Sequence, residues 1–154
     1  MMTRLLALAL ALLAFSLAAC DTAGPTAVSG VEIGGPYTAA SFRLLDATSG
    51  ALHYDLSAAG ATFEMDLAGD GTVSGDVFIP YQAFVESGTT DDIDGDFDVS
   101  FSGTYRATDR AVAFSDINAD TFIDASPWEV LDGGRGLRFE STDDGLTFEL
   151  VVTR

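Results

Sequence analysis

The chain contains no lysine, one cysteine, one histidine and one tryptophan in 154 residues. Each scarcity removes a class of explanation. A lone cysteine forbids any intramolecular disulfide, so the fold must hold without a covalent staple. Seven basic residues, all arginine, face 24 carboxylates and give a formal charge of −17. With so few cations, a run of nucleic-acid phosphates cannot be neutralised, and nucleic acid is excluded as a partner. The single histidine, His53, stands beside Asp55 on the polar face of a short alternating segment, and no serine sits in a GxSxG elbow. Nothing in the sequence assembles a nucleophile with its base, so no enzyme and no cofactor is expected. Glu64 and Asp66 share a face as paired glycosidase carboxylates must, but alternation assigns that face to solvent.

One apolar run is present, at the N-terminus. Arg4 precedes Leu5 to Ala14, an uninterrupted apolar stretch of a signal-peptide kind. Ser16, Cys20 and Asp21 close it well short of the roughly 20 residues that a membrane-crossing helix requires. The segment ends Leu17-Ala18-Ala19-Cys20, which resembles the bacterial lipobox. That resemblance implies cleavage after residue 19, acylation of the Cys20 thiol by palmitate-like chains, and a lipid bilayer of the bacterial cell envelope as the partner, inner or outer membrane being left open. Acylation also disposes of an otherwise reactive unpaired thiol, and two or three chains anchor stably where one does not. The uniform negative charge opposes close approach to anionic head groups, so membrane contact is expected from the acyl chains rather than from a protein face.

The organisation that follows is a signal peptide over 1–19, a lipidated cysteine and a tether rich in Gly, Pro, Thr and Ala over 20–36, and one folded domain over 37–154. About 118 residues suffice for a single core. Within the domain a period of two recurs and helical periodicity does not. Leu52 to Leu56 and Phe63 to Leu67 alternate around Ser57 to Ala61, which reads as a hairpin. Val73, Gly75, Val77 and Ile79 share a face before Pro80 ends the run. Phe97, Val99, Phe101 and Tyr105 share another, and Ala111 to Ser115, Trp128 to Leu131, Leu137 to Glu140 and Leu146 to Thr153 complete the set.

This pattern predicts an all-β fold, an antiparallel up-and-down meander of about eight strands closed into a barrel, with a β-sandwich as the alternative. The segments DLAGDGTVSG and SGTYRATDRAVAFSD resemble those of bacterial lipocalin-like lipoproteins. The resemblance implies a lipocalin-like barrel with a small apolar ligand inside, lined by Tyr54, Phe63, Met65, Val99, Phe101, Tyr105, Phe114, Phe139 and Phe148. The alternative is a structural or interaction module with a filled core, because a short eight-stranded barrel can be filled by its own side chains.

Two acidic loops carry oxygen ligands at every second residue, as calcium loops do: Asp92, Asp94 and Asp96, and Asp116, Asn118 and Asp120. Neither completes the pattern. Phe97 and Thr121 stand where the sharp turn requires glycine, and Pro127 where a bidentate glutamate belongs. A solvated, turn-forming role is the expectation for both loops, with weak calcium binding as the minor reading.

Overall fold

A computed structural model describes residues 31–89 and 94–154. The lipidation candidate Cys20 and the loop carboxylate Asp92 lie outside the described residues. In chain order the elements are β1 (Gly35–Asp46), β2 (Leu52–Asp55), β3 (Thr62–Leu67), β4 (Thr72–Ile79), a short helix α1 (Tyr81–Ser87), β5 (Phe97–Ala107), β6 (Ala111–Ser115), β7 (Trp128–Leu131), β8 (Gly136–Asp143) and β9 (Leu146–Thr153). Consecutive strands pair antiparallel from β3 to β9, and β1 closes the sheet by pairing with both β3 and β9. The result is the expected closed eight-stave barrel of lipocalin-like type.

Closure is most extensive between the first and last strands, where the ladder runs from Thr38 opposite Thr153 to Asp46 opposite Leu146. The fold begins slightly before Tyr37. β1 starts at Gly35, and the Arg154 guanidinium donates to the carbonyls of Glu32 and Gly34. Tyr37 adds a buried hydrogen bond from its hydroxyl to the Gly134 carbonyl at 2.6 Å. Burial raises the pKa of this phenol, which keeps it a donor.

Three features differ from the pattern read in the sequence. The segments around Leu52 and Phe63 do not form a hairpin with each other; β2 and β3 both pair with β1, at Arg43 opposite Asp55 and at Thr38 opposite Glu64. They are two pieces of one stave, and residues 56–61 form a detour that tucks Leu56 and Ala61 into the core. β1 itself breaks the period of two. A bulge between Ala39 and Ser41 shifts its register, so Tyr37 points inward before it and Phe42 and Leu44 after it. Finally, Tyr81–Ser87 is helical. Pro80 stands extended at its start, and Gly88, at φ +77°, ends it while its N–H reaches the Val85 carbonyl.

Up-and-down connectivity sorts the loops to two ends. At the tether end lie residues 31–34, the β3–β4 turn, the β5–β6 turn and the tight β7–β8 connection through Asp132, Gly133 and Gly134, all at positive φ. The far end carries the β1–β2 turn, α1, the β6–β7 loop and the β8–β9 hairpin. That hairpin turns on Asp144 and Gly145, with φ of +44° and +81°, as a two-residue primed turn demands.

Candidate functional site

The barrel interior is the first place where chemistry could reside, and it is packed with rings. Inward alternation brings together the nine residues expected to line it. Phe63, Met65, Phe101, Tyr105, Phe114 and Phe139 are buried, and Tyr54, Val99 and Phe148 pack against them half-buried. Tyr54 sits at the rim, where its hydroxyl donates to the Glu86 carboxylate at 2.5 Å. That bond raises the phenol's pKa and lowers the carboxyl's. Phe42 and Trp128, which the lining set omitted, are fully buried in the cluster, and Phe122, omitted too, packs against it half-buried. Phe122 lies 4.9 Å from Phe148, 5.3 Å from Phe139, 6.3 Å from Phe63 and 6.5 Å from Phe42, centroid to centroid.

Phe122 reaches this position from the β6–β7 loop. The β6 to β7 ladder has only two pairs, Ala111 with Glu129 and Val112 with Trp128. Above them the strands part, and the loop folds inward to close the gap. Ile123 is fully buried, and its carbonyl accepts from the Trp128 indole N–H at 3.0 Å. The sequence signal for this plug is weak, because two apolar residues flanked by Asp120 and Asp124 resemble a surface loop.

The carboxylates engage the backbone and one another's neighbours. Asp96 Oδ1 accepts from the Tyr81 N–H at 2.7 Å, which secures the start of α1. Asn118 Oδ1 accepts from the Ser102 N–H at 2.7 Å, and Asp116 Oδ2 from the Thr104 hydroxyl at 3.2 Å, which hold the β6–β7 loop to β5. Asp94 and Asp120 are exposed. Among the described residues no three His, Cys, Asp or Glu side chains converge on a point that could hold a metal ion.

On the outer wall an open trough of about 370 Å³ crosses β1, β3, β4 and β5. Glu64 and Asp76 face each other in register within it, and Asp76 accepts from the Ser100 hydroxyl. Like charges directly opposed weaken a sheet unless solvent screens them, and here both are exposed. His53 is exposed too, and its Nε2 donates to the Ser87 carbonyl at 3.0 Å.

Charge is unevenly distributed along the barrel axis. Arg106, Arg110, Arg135 and Arg154 all lie at the tether end, accompanied by Glu32, Asp70, Asp109 and Asp132. The far-end loops carry Asp46 on the first turn, Glu86, Asp94 and Asp96 around α1, Asp116, Asp120 and Asp124 on the β6–β7 loop, and Asp143 and Asp144 on the last hairpin, with no arginine among them. The other two arginines of the barrel are paired in its wall, Arg43 with the buried Glu149 and Arg138 with Glu129.

No protein-family model, curated protein or solved structure matches this chain.

Proposed function

We propose that this chain is a non-catalytic module of a bacterial cell envelope, tethered to a membrane by lipid on Cys20, whose barrel is filled by its own side chains and whose contacts are made by its outer wall and loops. The observation that carries this reading is Phe122. A loop residue seated among Phe42, Phe63, Phe139 and Phe148 occupies the volume that a small apolar ligand would need. A carrier would require that volume to be free. Support for the tether comes from the Leu17-Ala18-Ala19-Cys20 segment behind its apolar run.

The test uses the full chain expressed in a bacterial host. The wild type is expected in the detergent phase of a Triton X-114 partition and Cys20→Ser in the aqueous phase. Native mass spectrometry of the extracted wild type is expected to show the chain with its acyl groups and nothing else. Equal partition of both proteins refutes the tether, and a retained apolar small molecule refutes the filled module.

A further inference from the structure

The trough on the outer wall and the apolar rim of Leu52, Tyr81 and Val85 both lack any feature that names an occupant. The polarity of charge along the barrel axis is different, because it coincides with the point where the chain leaves the barrel. Residues 32–34 are clasped at the tether end by two hydrogen bonds from Arg154, and the Glu32 carbonyl lies so close to Gly134 that a Cβ there would sit 2.3 Å from it. The described chain therefore starts at that end. Arg106, Arg110 and Arg135 lie at the same end, exposed and without an ion-pair partner among the described residues.

We propose that this arginine-bearing end docks on the anionic head groups of the membrane to which the chain is tethered, which stands the barrel upright and presents the acidic far-end loops away from the bilayer. The proposal rests on the tether reading above. Its physical basis is orientation rather than affinity. Four arginines and four carboxylates leave the docking end close to neutral, whereas the far-end loops carry nine carboxylates and no arginine. The potential of an anionic leaflet decays over a Debye length, about 8 Å at physiological salt. Strands such as β8 and β9, eight residues each, span about 26 Å at ~3.3 Å per residue. Tilted by ~40°, as strands of a closed barrel are, they raise the far-end carboxylates of an upright barrel by about 20 Å, more than two Debye lengths from the surface. Inverted, all nine enter the field, while the arginines lose their attraction to head-group phosphates. A lipid anchor on Cys20 does not by itself choose between the two poses; the field separates them. The proposal makes one end an exception to the expectation that no protein face approaches the lipid.

The experiment places a fluorophore on a new cysteine at either end of the full, lipidated chain, Gly69→Cys in the β3–β4 turn or Thr48→Cys in the β1–β2 turn. Both positions are exposed, and a Cβ at Gly69 meets nothing within 4 Å. Each protein is reconstituted in phosphatidylcholine vesicles with or without phosphatidylglycerol, and quenching by a head-group nitroxide lipid is read. With phosphatidylglycerol, the Gly69 label is expected to be quenched at least threefold more than the Thr48 label. That ratio should fall toward one without phosphatidylglycerol, at high KCl, and in R106Q/R110Q/R135Q. Equal quenching at the two ends, or a ratio indifferent to phosphatidylglycerol and KCl, overturns the docking. Failure of the wild type to float with either vesicle overturns the tether itself, and the docking with it.

Discussion

Removing the Phe101 ring tests the interior at a point where the structure fixes the expected magnitude. Phe101 is 3% exposed and stacks on Phe63 with centroids 5.9 Å apart. Its ring lies over Gly75, where a Cβ would stand 2.5 Å from Phe101 Cζ. Phe101→Ala therefore leaves a hole beside a residue that has no side chain to swing into it. Phe→Ala substitutions in cores cost ~3–5 kcal/mol, the larger values arising where the site cannot collapse. About 4 kcal/mol is expected here, close to the whole stability of a marginal domain. Trp128, fully buried and 5.6 Å from Phe63, is the only tryptophan and reports the core directly in urea titrations. The midpoint should fall with little change in slope. Ser100→Ala, one residue away on the outer face, removes only an exposed hydrogen bond to Asp76 and should cost under about 0.5 kcal/mol. Similar losses at both positions would refute the register and the filled interior together.

Three further outcomes are expected. Gly75→Ala should destabilise by ~1–3 kcal/mol, and Phe101→Ala should not rescue it, because the Glu64 carbonyl, 2.2 Å from the new Cβ, belongs to the backbone; a neutral Gly75→Ala in urea titrations would contradict the close approach. Arg43→Met should cost about 2 kcal/mol, since it leaves the buried Glu149 carboxylate without its charged donor, and an unchanged unfolding midpoint would show that solvent replaces the pair. Hydrogen bonds from Ser49 and Thr72 depress the carboxyl pKa values of Asp46 and Asp70. The stability they contribute is complete above the unfolded pKa of about 3.9 and is lost as pH falls through the lower folded values. The melting temperature of D46N/D70N should consequently fall less steeply in acid than that of the wild type, and parallel curves would refute the assignment.

What could be read from the sequence was whatever alternation encodes locally. β3, β4 and β5 each keep a strict period of two, and their inward residues are those the pattern named, from Phe63 through Val77 to Phe101. β1 escaped because its bulge puts Tyr37 and Phe42 in opposite phase, so no single period fits the longest strand. The Ser57 to Ala61 turn suggested a hairpin because a local signal cannot reveal that both flanking segments pair with β1 instead. Seven residues of α1 are too few for a 3.6-residue period to emerge. Of the candidate interior, alternation identified the walls and missed the plug: Phe122 arrives from an acidic loop held by the long-range bond of Asn118 to Ser102 and by the Trp128 indole on the Ile123 carbonyl.

One glycine in each of the DLAGDGTVSG and SGTYRATDRAVAFSD segments shapes how side chains pack against the sheet. Gly75 and Gly103 occupy inward positions on neighbouring strands, Gly75 opposite Phe101 and Gly103 opposite Val73. Side chains there would collide with what lies above them: Phe101 Cζ at 2.5 Å over Gly75, and Ile117 Cδ1 at 2.7 Å over Gly103. Glycine on the inner face of a strand lets the sheet bend sharply, as a barrel corner requires. Phe101 from the adjacent strand settles onto the bare backbone of Gly75, and Ile117 from the β6–β7 loop onto that of Gly103. Bulkier inward residues at these two positions would hold β4 and β5 farther from the opposite wall and leave room for a guest. With glycine, Phe101 and Ile117 approach the sheet from one side and Phe122 from the end of the barrel.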